Sequence, residues 1–328
     1  MMKLSTMQEI VSTVSEEWES PLANEILQHW ETDGEPAKYW RSSTNFVFFF
    51  NRGDHVLRFN HVDERAVETI QAEIDHVNAL IDKGIPAAKP VLSLAGNYVE
   101  SVATEHGLFH ASAFHTLAGQ QLEIEELMPE QFARWGETLG DLHNASSYPA
   151  GWRPVRPSWE DHLAFVTDVL PPNEEAALRT AESLMNQLQA LPINEQSFGL
   201  IHYDFELDNI LWHEGQPGII DFDDCAWYWF VADFALALGD LFDDSVGKVD
   251  LQNDSFRHFV EGYRRVRPMD DEELAWMPLF VQLDHLNTFA KLHRALTPIN
   301  PNGELPWMPD LRDKLTAKME SYRDEFSD

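Results

Sequence analysis

Apolar positions recur along this chain with two periods, and the switch between them divides it. Over residues 7–32, Ile10, Val11, Val14 and Trp18 fall at helical spacing, which predicts one or two helices. Two short apolar runs follow at 46–50 and 56–59, separated by Asn51-Arg52-Gly53-Asp54, whose composition predicts a hairpin. Val67, Ile70, Ile74, Val77 and Leu80 then share one face of a helix expected over 64–82, and Gly84 stops it. Further strands are expected near 90–94, 98–104 and 108–114. Beyond about residue 116 the helical period dominates (129–144, 159–170, 174–191), gives way to a short segment at 200–224, and resumes. This order predicts an α+β chain of two lobes. Residues 1–115 form a small antiparallel β-sheet lobe with a helical leader and one main helix, and residues 116–328 a larger, mainly helical lobe.

Composition narrows the function classes. A chain of 328 residues, 44% hydrophobic and with eleven Trp and twenty Phe, holds enough apolar surface for two lobes and is not a disordered polypeptide. The single cysteine, Cys225, excludes a disulfide framework and a multi-cysteine metal site, and fits a reducing cytoplasm. The first twenty residues lack an apolar stretch of signal-peptide length. The most apolar later stretch, 227–242, is interrupted by Asp233 and Asp240, which excludes a membrane span. A soluble, cytoplasmic protein is expected. The net charge of −33 repels nucleic acid and anionic membranes and would favour a cationic substrate; it could equally serve solubility alone, or a salty or cold habitat. Of the 14 histidines, only His202 falls in a motif, so zinc is not expected, and no Gly-x-Ser-x-Gly elbow supports a hydrolase.

The chemistry concentrates between residues 202 and 224. His202-Tyr203-Asp204, followed after four residues by Asn209, is framed by apolar residues, and twelve residues past Asn209 lies Asp221, within Gly218-Ile219-Ile220-Asp221-Phe222-Asp223-Asp224. A hairpin, with strands at 210–212 and 218–220 and a turn at 213–217, would bring Asp221 back to the loop before the first strand. Phosphoryl transfer needs such an arrangement. One or two Mg²⁺ ions must bridge the nucleotide oxygens, and hard cations take oxygen ligands, here Asp221 and the amide oxygen of Asn209. A second carboxylate, Asp204, can orient the attacking hydroxyl and accept its proton. His202 is expected to support this catalytic loop by hydrogen bonds.

The pattern resembles the catalytic loop and metal-binding strand of the aminoglycoside phosphotransferase and choline kinase superfamily, relatives of protein kinases. In that family His-Gly-Asp-x4-Asn is followed by a short hairpin and Ile-Asp-Phe or Ile-Asp-Trp. Here Tyr203 replaces the Gly, a position that carries no catalytic group. The resemblance implies a protein-kinase-like two-lobe fold, Asp204 as catalytic base, Asn209 and Asp221 as Mg²⁺ ligands, and ATP or GTP as donor. It also implies a cation on the third strand paired with a glutamate on the next helix. Arg58 stands where Lys is common, with Glu73 as its partner and Glu68 second; the competing reading of Arg58 is a strand-end surface cation. No glycine-rich loop precedes Phe46. Arg41-Ser42-Ser43-Thr44-Asn45 takes its place, so Ser43 and Asn45 would cap phosphates, or the segment is a plain polar turn. The hinge beside the adenine pocket is expected within 115–121.

By the same resemblance, the acceptor would bind past Asp221, where Asp223, Asp224, Trp227, Asp233, Asp240, Asp243 and Asp244 lie. Carboxylates there would bind amines, and Trp227 could face a cationic nitrogen. The competing reading makes 227–241 a buried amphipathic helix with most of its aromatics in the core, and Asp233 a brace for the catalytic loop. Splitting the chain at 115/116 leaves 8 basic and 17 acidic residues before and 15 and 39 after, or −9 and −24, so the acceptor lobe carries most of the charge. The expected activity is transfer to a hydroxyl of a small, amine-containing molecule. A kinase-like binding protein without transfer is the alternative, and the presence of Asp204, Asn209 and Asp221 argues against it. A Ser/Thr protein kinase is a further alternative, but no long activation segment with an Ala-Pro-Glu anchor follows Asp221.

Overall fold

The alternation at 46–50 builds the first lobe. In this computed structural model, which describes every residue except 147, 149–152, 243–248, 298–304 and 328, six strands form one antiparallel sheet. They are β1 (Lys38–Ser42), β2 (Phe46–Phe50), β3 (His55–His61), β4 (Pro90–Val91), β5 (Val99–Thr104) and β6 (Gly107–His115), in the order β1-β2-β3-β6-β4, with β5 also on β6. Because side chains alternate along a strand, Phe46, Phe48 and Phe50 share one face. There they join Leu57, Phe59 and Phe109 in a core with residues of α1 (Leu4–Val11) and α2 (Pro21–Leu27). Val47 and Phe49 take the opposite face, paired with Arg58 and Val56 of β3. Sequence periodicity missed β1, because its residues are mostly exposed and show no alternation.

The main helix of this lobe, α3 (Val67–Asp82), begins three residues later than predicted. The cause is tertiary. Glu64 is drawn into an ion pair with Arg294 of the second lobe, and Arg65 reaches the Asp223 carbonyl at 2.6 Å.

The second lobe holds α4 (Pro129–Ala145), α5 (Trp159–Val169), α6 (Glu175–Gln189), α7 (Val231–Ala237), α8 (Asp254–Arg264), α9 (Asp271–Leu274), α10 (Met277–Ala295) and α11 (Met308–Ser327). Two small antiparallel pairs sit among them: β7 (Phe198–Ile201) with β10 (Ala226–Trp229), and the anticipated hairpin β8 (Ile210–His213) with β9 (Gln216–Ile219). Helices α4 and α8 cross at backbone contact. A Cβ on Gly136 would lie 1.9 Å from the Phe259 carbonyl oxygen, and one on Gly262 would lie 1.8 Å from that of Ala133.

The helix considered for 227–241 is corrected. Residues 226–229 form a strand, buried at every position and paired with β7, and only Val231–Ala237 is helical. An aromatic run buried on both faces has no helical stripe to present, and pairing with β7 satisfies its backbone. Asp243 and Asp244 lie outside the described residues. No helix among the described residues is long and apolar enough to cross a membrane.

Candidate active site

Between β7 and β8, residues 202–209 turn sharply around one buried carboxylate. Asp233, at the start of α7 and fully buried, accepts from the backbone N–H groups of His202 (3.0 Å) and Tyr203 (2.8 Å) and from His143 Nε2 (3.0 Å). With Nε2 of His143 donating, its Nδ1 accepts from the Tyr263 hydroxyl at 2.9 Å. His202 is held in the same way. Its Nε2 donates to the Ile220 carbonyl at 3.1 Å, and its Nδ1 accepts the Asp204 N–H at 3.3 Å. Burial lowers the His202 pKa and keeps the ring in this neutral form. One imidazole thus spans from Asp204 to the residue before Asp221.

Tyr203 corrects the account of its own position. Its φ of +69° lies in the left-handed region, so a glycine suits the site for backbone reasons and not because the position is chemically idle. A side chain there costs roughly 1–2 kcal/mol. The ring offsets this by burying itself against His162 and Tyr228, with its hydroxyl 3.2 Å from Asn287 Nδ2 and 3.5 Å from Asp284.

Asn209 and Asp221 meet through the hairpin, where the Ile220 N–H donates to the Asn209 carbonyl at 3.0 Å. The Asn209 amide donates to the Asp204 carbonyl (2.9 Å) and to Asp204 Oδ2 (2.7 Å), while its own Oδ1 is buried with no partner among the described residues. Burial, then Asp224 and Asp223, push the Asp204 carboxyl up to about 7. Asp221, also left-handed at φ +62°, accepts from Arg58 Nη1 at 3.2 Å and Arg41 Nη2 at 3.1 Å. Burial and the Asp223 carboxylate push its carboxyl up, against the pull of these guanidinium groups. An orphaned amide oxygen beside a cation-seeking carboxylate fits a hard divalent ion, which needs only one or two protein ligands when phosphates supply the rest.

Arg58 is a buried residue, not a surface cation. Its Nη2 contacts Glu73 at 2.6 Å and its guanidinium lies over the Phe114 ring at 4.9 Å; Glu68 is exposed. Arg58, Glu73, Arg41 and Asp221 line a cavity of about 450 Å³ whose apolar walls include Val47, Val56, Phe114 and Leu211. His115, Thr116, Leu117 and Gln121, within the expected hinge, also line it.

Other candidates fall elsewhere. Ser43 is exposed and lends its carbonyl to the Met2 N–H, and Asn45 turns away to donate to Asp223 Oδ2 at 2.5 Å. Neither lines the cavity. Asp223 is buried between Asn45 and Arg65. Asp224, partly exposed, faces Arg65 (3.2 Å) and Lys291 (3.5 Å), and these cations, acting against burial, hold its carboxyl down. Trp227 is corrected to the core. Its indole N–H donates to the Pro154 carbonyl at 3.3 Å and its ring lies under Arg153. Arg65, Lys291 and Arg156 carried no sequence signal as site residues, because each reaches the 221–224 segment only through folding.

With this geometry established, likeness to known proteins becomes informative. The model of the family described as "Phosphotransferase enzyme family" matches residues 37–269, more than half of the chain. The amicoumacin kinase of Bacillus subtilis (strain 168) is 26% identical over 281 residues, covering 82% of either chain. Among solved structures, the amicoumacin kinase hAmiN in complex with AMP-PNP, Ca²⁺ and Ami superposes with a TM-score of 0.78 at 24% identity, covering 98% of this chain and 96% of that one. The microcompartment-associated aminopropanol kinase gives 0.69 at 23% identity, over 93% and 94%. The chain belongs to the phosphotransferase enzyme family, as an ATP-dependent kinase acting on a hydroxyl group of a small molecule.

Proposed function

We propose that this enzyme moves the γ-phosphoryl of ATP, with GTP as the alternative donor, to a hydroxyl of a small amine-bearing acceptor, using Mg²⁺. The observation that carries the reading is the Asn209 Oδ1, buried without a partner among the described residues, while its amide holds Asp204 and its backbone carbonyl accepts from the residue before Asp221. Asn209 and Asp221 would hold the ion, which neutralises charge on the phosphates when bound. Asp204 receives the proton of the acceptor hydroxyl. Asn209 pins its Oδ2, which fixes the carboxylate plane and leaves Oδ1 for the acceptor, and a pKa near 7 suits a base working at neutral pH. His202 acts as a positioning residue, since both its ring nitrogens are spent on backbone groups.

Arg58, held by Glu73, would face the nucleotide phosphates in the cavity. The division between nucleotide and acceptor lobes is drawn at 115/116, where β6 ends and the cavity's hinge side begins. An amine in the acceptor is supported by Asp284, 3.5 Å from the Tyr203 hydroxyl of the same loop, and by likeness to a kinase named for an amino alcohol. The buried, single cysteine fits a reducing cytoplasm.

The test is phosphoryl transfer from ATP and GTP to a panel of amino alcohols, amino sugars and antibiotics, with and without Mg²⁺. Transfer that requires the ion and is fastest to an amine-bearing hydroxyl is expected. A folded protein that transfers to none of the panel, or only to anionic acceptors, would overturn the reading.

A further inference from the structure

Consecutive residues of a strand point to opposite faces, yet Trp40 and Arg41 both line the cavity. The register explains it. In the pairing of β1 with β2, Tyr39 sits opposite Phe48 and Arg41 opposite Val47, so Trp40 is an extra residue with no partner of its own. Without that bulge Arg41 would fall opposite Phe46, whose side chain is in the core. With it, Arg41 stands on the cavity face in one row with Val47 and Arg58, since Val47 is also the partner of Arg58.

The two guanidinium groups of this row converge on opposite oxygens of Asp221 and are held very differently. Arg58 is 9% exposed and anchored by Glu73 at 2.6 Å. Arg41 is 43% exposed, and among the described residues its side chain pairs with Asp221 alone, at 3.1 Å. A divalent ion held by Asp221 takes carboxylate oxygen and repels a guanidinium on it. Phosphates in the same cavity offer Arg41 a bidentate partner within a side chain's reach. Two donors of the turn are already taken, because the Ser43 N–H is bonded to the Asn45 carbonyl and the Asn45 side chain to Asp223.

We propose that Arg41 is a phosphate-binding residue of the nucleotide site, which leaves Asp221 for the nucleotide when a divalent ion takes that carboxylate. A bulged cation thus replaces the glycine-rich loop that this chain lacks. The proposal rests on the phosphotransfer reading above.

Two titrations test it on Arg41→Gln and Arg41→Lys. Calorimetry reads Mg·ATP affinity, and electron spin resonance reads Mn²⁺ binding without nucleotide. For Arg41→Gln, Mg·ATP binding should weaken about tenfold or more, the scale of a lost charged hydrogen bond. Mn²⁺ alone should bind more tightly, because the competing cation is gone. Arg41→Lys keeps the charge but not the fork and should lie between on both readouts. It also carries the test if the Gln variant fails to fold. Mg·ATP affinity within about twofold of the parent in both variants, against the tenfold expected of that contact, would make Arg41 a surface ion pair and overturn the proposal. A parent protein that binds no Mg·ATP would instead overturn the phosphotransfer reading itself.

Discussion

Asn209 gives both amide hydrogens to Asp204, one to the backbone carbonyl at 2.9 Å and one to Oδ2 at 2.7 Å, and its own oxygen remains buried without a partner among the described residues. The pair separates two tasks that mutation can tell apart. Asp204→Asn should lower kcat about 10²–10⁴-fold, the usual worth of a positioned base, with Mg·ATP affinity nearly unchanged. Steady-state kinetics with a verified acceptor, beside calorimetry, check this. A variant that keeps most of kcat would remove Asp204 from the base role.

Asp221→Ala should lose the Mg²⁺ dependence of nucleotide binding, since it removes a carboxylate from the proposed ion site. It also frees Arg41 and Arg58, so metal-free ATP should bind as well as or better than in the parent. Calorimetry with and without Mg²⁺ reads both effects. An unchanged gain in affinity on adding Mg²⁺ would reject Asp221 as a ligand.

Arg58→Ala should both unfold the small lobe more easily and weaken ATP binding. It strands Glu73, which is 1% exposed, and breaking a buried pair from one side costs about 3–5 kcal/mol. Arg58→Lys should recover part of each loss. Urea melts and nucleotide titrations of the three proteins decide it, and equal affinities in all three would take Arg58 out of the nucleotide site.

Gly262→Ala should destabilise the helical lobe by about 3 kcal/mol or more, the upper range for overpacking. Its Cβ would meet backbone, the Ala133 carbonyl oxygen, and not a side chain that can turn aside. A melt within 1 kcal/mol of the parent, well below the ordinary cost of overpacking, would mean that α4 and α8 are further apart than described.

Acid should weaken the fold through His76. Burial, then Arg156, lower its pKa to about 3 in the folded protein, against the ordinary 6.5 once unfolded. Between those values the unfolded chain binds a proton that the folded chain refuses. The contribution of His76 is therefore complete above about pH 6.5, the unfolded value, and is lost as pH falls towards 3. Melting temperatures of the parent and His76→Gln at pH 7 and pH 5 measure it. The variant should lose less on acidification, and an equal loss in both would exclude His76 as the cause.

The residues between His202 and Asp221 were legible as a candidate site because their relationships are local. Four residues separate Asp204 from Asn209, and a two-stranded hairpin brings Asp221 back, so spacing alone nearly determines the geometry. The two-lobe α+β architecture was legible for a similar reason: apolar period is a property of neighbours in sequence, and Phe46 to Phe50 alternate whatever they pack against. Position 203 was read by chemistry when backbone conformation governs it, and φ is invisible in a one-letter string.

Everything that depends on register or on contact across the chain was decided by tertiary structure. A single unpaired residue, Trp40, moves Arg41 from the core face of β1 to the cavity, and no pattern in Lys38–Ser42 announces it. Trp227 is a core residue because β10 finds β7, 28 residues earlier, and Asn45 serves Asp223 across 178 residues instead of serving the cavity. By itself the sequence determined the two-lobe α+β architecture and which polar side chains lie close along the chain around the 210–219 hairpin. Which of them face one another was left to packing, because side-chain direction changes with every one-residue shift in pairing, and such shifts are set by the shape of the whole core.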